Sequence, residues 1–265
     1  MYSIFKKVSN LGSKTYGTLY DSYVDPIMHY ASGVWGFKDF PPPRVLQNRI
    51  MRFFLGVHRF APVAATKIEF DWLECQQRRW INMIRLFNRI NTMDASRLPK
   101  IILDWDVSLN LNTWGSEVKR IAFTLGMEPI QADGGTYSLT NIYNACLEYN
   151  RTDWKTEAAL KPKLRTYNKI HDFDTKQLLV SANVSRYQRS ILTQLKFGIL
   201  PLKIETDRYQ GIPAENRLCK ICHLNVPEDE RPFIFTCPAL ELIRQSQPLS
   251  PMWTHDISDE VLMLK

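Results

Sequence analysis

Apolar positions along this chain recur every three to four residues and alternating stretches are scarce, so the pattern predicts a mainly α fold. In "TYGTLYDSYVDPIMHYASGVWGF" Leu19, Tyr23, Ile27 and Tyr30 fall on one stripe, and Pro26 is expected to kink or split that helix. In "FKDFPPPRVLQNRIMRFFLGV" the prolines Pro41 to Pro43 are expected to forbid a helix and form a stiff joint. Beyond them a new helix carries Val45, Leu46, Arg49, Ile50, Phe53 and Phe54. The clearest amphipathic helix is "DWLECQQRRWINMIRLFNRINTM", with Trp80, Met83, Ile84, Phe87 and Ile90 on one face and Gln77, Arg78, Asn82, Arg85 and Arg89 on the others. Further helices are expected over 97–104, 115–125 and 139–161, the last after a turn at Gly134-Gly135 with Ser138 or Thr140 as cap. Tyr187, Ile191 and Leu195 mark one more, which Gly198 and Pro201 stop, and a loop-like stretch then leads to the clustered cysteines. The expected organisation is a helical domain over 1–126, a basic helical linker over 138–210 and a small cysteine-rich module over 211–265.

Composition narrows this picture. With 265 residues, 45% of them hydrophobic, the chain buries enough apolar surface to fold without metal or disulfide staples. "MYSIFKKVSNLGSKTYG" lacks the apolar core of a secretory leader, and no run of about 18 apolar residues occurs. The expectation is an intracellular protein, nuclear or cytoplasmic, not secreted and with no membrane partner. Five cysteines, an odd number, argue against a secreted disulfide framework, and Cys75 and Cys146 read as buried reduced core residues.

The formal net charge of +7 is uneven: residues 151–222 carry 14 Lys/Arg against 7 Asp/Glu, whereas residues 223–265 carry 3 against 7. Within the basic stretch, "KLRTY" and "SRYQR" interleave cations with aromatic rings, an arrangement in which cations hold phosphates while a ring stacks on a base. Candidate nucleic-acid contacts are therefore Lys163, Arg165, Tyr167, Lys169, Arg186, Arg189, Lys196 and Arg208. In the competing reading the tyrosines face the core and the cations only solvate the opposite side.

In "RLCKICHLNVPEDERPFIFTCPAL" Cys219 and Cys222 have the C-x2-C spacing that sets two thiolates on one tetrahedral metal, and Cys237 follows at the start of a short helix. Zinc is the cofactor such a set implies, at a weak or incomplete site, because a closed site wants a fourth ligand. His223 is a weak substitute, being adjacent to Cys222; His255 is remote, and Glu228 and Glu230 are hard ligands beside soft ones. Metalloprotease, hydrolase and nucleotide-binding signatures are absent. The five histidines are scattered, and "IHDFD" at 170–174 reads as a solvated turn, so no small-molecule substrate is expected.

The stretches "LYDSYVDPIMHYASGVWGF", "RVLQNRIMRFFLGV", "KPKLRTYNKI", "FGILPLKIETDRYQGIPAENRLCKIC" and "EDERPFIFTC", in this order, resemble the region that follows the polymerase palm in reverse transcriptases of LINE-type (non-long-terminal-repeat) retrotransposons of animals. The resemblance implies that residues from about 11 to 95 are similar to the helical thumb and that a linker leads to a cysteine-histidine knuckle. Cys219, Cys222 and Cys237 match the three cysteines of that knuckle, and Pro232 stands where its histidine should be. The family's polymerases hold two metal ions on paired palm aspartates. This chain has no Asp-Asp pair, so it is expected not to polymerise nucleotides. What the resemblance implies is a noncatalytic piece that binds RNA, DNA or both; the alternative is a helical structural or protein-interaction module.

Overall fold

The structure, a computed structural model, describes residues 11–109, 112–130, 135–170, 180, 184–222 and 224–246. Among them the chain forms thirteen α-helices, short 3-10 and π turns, and no strand beyond one isolated bridge, as its periodicity predicts. No helix of the described residues is long and apolar enough to cross a membrane. The fold divides into two compact units that interleave along the sequence. The first is Leu11–Met51 with Phe70–Lys155; the second includes Arg52–Glu69 and the described residues from Thr156 onward.

The first unit begins with α1 (Ser13–Leu19), a π turn (Tyr20–Val24), α2 (Asp25–Met28) and α3 (Ser32–Trp35). The expected stripe does not survive this sequence of turns: Tyr23, Ile27 and Tyr30 are 68–82% exposed, whereas Tyr16 and Tyr20 are buried. The π turn adds a residue per turn and so rotates the next helical residues out of phase, and Pro26 opens α2 as a fresh helix. Tyr20 stacks on Trp72 at 4.8 Å, and the Tyr16 hydroxyl donates to the Ile50 carbonyl at 2.7 Å.

The proline triplet does not exclude a helix either. Helix α4 spans Pro41–Leu55 and starts on the prolines themselves. The N–H groups of a first helical turn have no acceptor within the helix, so their absence costs nothing there, and the fixed proline φ suits the turn. Ile50 and Met51 of this helix are buried while Val45 and Leu46 face solvent. Helix α5 (Val63–Phe70) follows.

Helix α6 (Cys75–Asn91) is the centre of the first unit and is buried on more than its apolar side, with Gln77 and Arg79 inside as well as Trp80, Met83, Ile84 and Phe87. Gly33 lets α3 approach: a Cβ there would stand 3.1 Å from the Asn82 carbonyl oxygen. Helices α7 (Leu98–Ser108), α8 (Trp114–Thr124) and α9 (Leu139–Ala159) complete the unit, close to their predicted limits. Leu103, Val118, Ile121, Ala122, Ile142 and Cys146 join α6 in one core. Full burial of each large side chain there contributes about 1.5–3 kcal/mol. Ser138 is the residue that caps α9, accepting from the Asn141 N–H at 3.4 Å.

Helix α7 buries Leu103 but turns much of its apolar surface outward. Its apolar residues Leu98, Ile101, Ile102 and Trp105 are 50–67% exposed, while Lys100 is buried and donates to Asn91 at 2.9 Å and to Asp104 at 2.6 Å.

The second unit packs α5, α10 (Arg165–Ile170) and α11 (Arg186–Lys196) around Ala64, Ala65, Ile68, Leu164, Tyr167 and Phe197. Ser185 caps α11 in a reciprocal capping box with Gln188. Gly198 ends it as predicted, at φ +63°, with Gly198 N–H bonded to the Leu195 carbonyl and Ile199 N–H to that of Gln194, the two bonds of a Schellman motif. The stretch expected as loop contains α12 (Lys203–Thr206) and two 3-10 turns, and α13 (Glu241–Ser246) is the last described helix.

Candidate functional site

A short hairpin presents the first two cysteines. Leu218 pairs with Pro227 in an antiparallel bridge, Glu228 N–H donates to the Arg217 carbonyl at 2.9 Å, and Cys219 N–H donates to that of Val226. Asn225 takes the left-handed conformation that the tight return needs, at φ +51°, which asparagine tolerates better than most residues. Arg217 fastens the base of the hairpin by donating to the carbonyls of Ile212 and Ile204, each at 2.8 Å. Cys237 arrives from the other side, after a π turn over Pro232–Thr236. Buried Arg244 of α13 fixes it by donating to the Cys237 carbonyl at 2.6 Å and pairing with Glu241 at 2.7 Å.

This scaffolding brings the three sulfurs together, all within 4.8 Å of one another. The Cys222 thiol is pushed below the usual range, first by the hydrogen bond from the Leu224 N–H and then by the neighbouring thiols. Burial pushes the Cys237 thiol up. Around them the pocket is mostly apolar, with Ile221, Leu224, Val226, Phe233 and Leu240 on its walls. Pro232 lines the same pocket and has no donor atom to offer. Glu228 also lines it, but its Oε2 accepts from the Lys203 N–H at 3.1 Å. The described residues thus supply three of the four ligands that a closed zinc site requires. His223, considered for the fourth, lies outside the described residues, as do His171, His255 and Gly134. Cys75 and Cys146 are buried free thiols, as predicted.

Tertiary structure rearranges the predicted nucleic-acid contacts. Tyr167 is a core residue with no exposed surface, set edge-on to Phe197 at 5.5 Å, so it presents no ring to a base. Lys163 is ion-paired with Glu205. Arg165 donates from Nη2 to both carboxylate oxygens of buried Glu230, at 2.7 and 2.9 Å, which ties α10 to the segment leading into Cys237. Lys196 pairs with fully buried Glu69 at 2.6 Å. Arg189 is 5% exposed, lies over the Phe54 ring at 4.0 Å and donates to the carbonyls of Phe54 and Val184. These four cations hold the second unit together, and their charges are spent inside it.

Lys169, Arg186 and Arg208 stay exposed, Arg208 with Glu205 3.9 Å away. Helix α11 is rotated relative to the predicted stripe: Arg189 and Thr193 face in, and Tyr187 is 75% exposed. A pattern missed in the sequence becomes visible here. Arg59-Phe60, Arg186-Tyr187 and Arg208-Tyr209 are three arginine-aromatic pairs, all six residues exposed and all in the second unit. Arg186 lies over the Phe53 ring at 4.4 Å, and the Tyr209 hydroxyl donates to Glu205 at 3.3 Å. The only signal in the sequence is the repeated Arg-aromatic dipeptide, which gains meaning once its exposure is known. Lys220 and Arg231, flanking the cysteines, are exposed as well.

No protein-family model matches this chain, and neither a curated protein nor a solved structure does.

Proposed function

We propose that this chain is a noncatalytic, single-strand-binding piece of the reverse-transcriptase region of a LINE-type retrotransposon, with a cysteine knuckle that has lost one ligand. The observation that carries the binding mode is the set of three exposed arginine-aromatic pairs, Arg59-Phe60, Arg186-Tyr187 and Arg208-Tyr209. Arginine holds phosphate while the ring next to it offers a face on which any base can stack, which gives weakly sequence-selective binding. Support for the family reading comes from Pro232: the position that the resemblance assigns to a ligand lines the pocket of the three sulfurs. The absence of an Asp-Asp pair supports a role without polymerisation.

Three phosphate contacts predict a salt slope of about −2 for a single strand, from about 0.7 per contact. The test is titration of the protein with a labelled single-stranded RNA across a series of salt concentrations. Replacing Arg59, Arg186 and Arg208 by glutamine is expected to flatten that slope, and removing Tyr187 and Tyr209 rings to cost about 1–3 kcal/mol each. Binding that ignores all five changes contradicts the reading.

One observation favours a protein-interaction role instead. The stripe Leu98, Ile101, Ile102 and Trp105 of α7 faces solvent over two helical turns, an apolar patch of the kind that marks contact surfaces. If that stripe is the working surface, Ile102→Asp with Trp105→Glu abolishes concentration-dependent association in sedimentation and leaves RNA affinity as it was. A wild-type chain that stays monomeric at high concentration removes self-association from consideration.

A further inference from the structure

Among the described residues the ligand set Cys219, Cys222 and Cys237 has no fourth thiol or imidazole donor, and that lack selects a different kind of ion. We propose that this pocket is a site for a three-coordinate thiophilic ion with a lone pair, of which trivalent arsenic is the type, in preference to zinc. The inference rests on the reading of these three cysteines as one ligand set.

Three features of the pocket carry it. The three sulfurs lie within 4.8 Å of one another; at about 2.3 Å from a shared ion, sulfurs stand roughly 3.8 Å apart on a tetrahedral ion and roughly 3.4 Å apart on a pyramidal one, so each closes on the ion by moving less than about 1 Å. Second, among the described residues Pro232, at the position the resemblance gives to the fourth ligand, lines the pocket without a donor atom, and Glu228, the one other carboxylate or thiol group lining it, is held by the Lys203 N–H. Zinc on three thiolates has to complete its tetrahedron with water; an ion whose fourth direction is a lone pair needs nothing there. Third, the walls are apolar, with Ile221, Leu224, Val226, Phe233 and Leu240, and such walls disfavour net charge. Zinc with three thiolates carries a net charge of about −1. Trivalent arsenic with three thiolates is neutral.

The exchange balances without an oxidant. Arsenous acid brings three hydroxyl groups and the protein three thiols; three As–O bonds break and three As–S bonds form. Each hydroxyl leaves with a thiol proton as water, and arsenic remains trivalent throughout. Zinc binding at the same three thiols instead releases protons to solvent, so its apparent affinity falls steeply as pH drops. The arsenic equilibrium has no such first-order pH dependence.

The test uses the full chain, reduced and metal-free, titrated separately with arsenite and with zinc ion at pH 6 and pH 8, with sulfur-to-metal absorption as the readout. Expected are one arsenic per chain, an affinity that changes little between the two pH values, and zinc binding that is weaker and drops by about tenfold or more at pH 6. Cys237→Ser is expected to weaken arsenite binding by at least about tenfold, the scale on which even outer-shell losses are felt at metal sites. Pro232→His is expected to reverse the preference by raising zinc affinity about tenfold or more. Tight zinc with four protein ligands in the unaltered chain overturns the arsenic preference and leaves the ligand set standing. Failure of both ions to bind, with the fold intact by circular dichroism, overturns the ligand set as well. A Cys75→Ala, Cys146→Ala variant keeps the readout confined to the three clustered thiols.

Discussion

Replacing Lys196 by methionine is expected to cost about 3–5 kcal/mol of stability near neutral pH and to leave RNA affinity unchanged within about twofold, the first being the usual penalty for stranding one member of a buried pair. Lys196 lies in the basic stretch that the sequence offers as a phosphate-binding surface, yet its ammonium is 2.6 Å from a carboxylate with no exposed side-chain surface, Glu69. Its Nζ also stands 5.3 Å from the centre of the buried Tyr167 ring. Methionine fills much the same volume and removes only the charge. Burial already pushes the Glu69 carboxyl above the usual range, with Lys196 pulling it back. In the variant that pull is gone and the folded-state value rises further. The folded protein then holds a proton that the unfolded chain has released, so stability increases as pH falls through the folded value towards the unfolded one. Chemical denaturation at pH 5 and pH 7 is the check: the deficit relative to the unaltered chain should be smaller at pH 5. A deficit that is equal or larger at pH 5, or an RNA affinity that falls with the charge, would show that Lys196 works at the surface after all.

Gly198→Ala is expected to destabilise by about 3 kcal/mol, whereas Gly126→Ala costs only about 1 kcal/mol. The two glycines end their helices identically. Each sits in the left-handed region, at φ +63° and φ +73°, and each is the penultimate residue of a Schellman motif, at the ends of α11 and α8. The backbone penalty for an L side chain is therefore shared. What differs is space: a Cβ at Gly198 would stand 2.5 Å from the Lys163 carbonyl oxygen, whereas at Gly126 nothing lies within 4 Å. A main-chain oxygen cannot rotate aside as a side chain can, so the segment carrying Lys163 has to move. Urea melts of the two variants separate the shared cost from the steric one, and equal midpoints would refute the close approach.

Legibility in the sequence depends on the range over which each signal acts. Helices α6, α8 and α9 are set by periodicity within a dozen residues, and Gly198 stops α11 through its own backbone. The knuckle is similar: two cysteines three positions apart need only a local hairpin, and Cys237 is close enough to be guessed. Neutralisation of the basic stretch is a different matter. Glu69 lies 127 residues from Lys196, Glu230 lies 65 from Arg165 and Glu205 lies 42 from Lys163, so counting charge by segment could not show that these cations were already engaged. The rotation of α11 was hidden for the same reason. Arg189 outcompetes Tyr187 for the interior because the Phe54 ring and carbonyl receive its guanidinium, and that receptor comes from a helix 135 residues earlier. The proline triplet misled through a rule applied one turn too far, since proline breaks helix interiors and not their starts.

Because Arg52–Glu69 belongs with the residues after Thr156, while Phe70–Lys155 belongs with the residues before Met51, the chain is woven and cannot be cut once into two working halves. A piece begun at residue 138 keeps every cysteine of the knuckle but loses Ala64, Ala65, Ile68 and Glu69, and with them the counter-charge of Lys196. Genetic shuffling of this protein would therefore have to move nearly the whole of it as one inheritance.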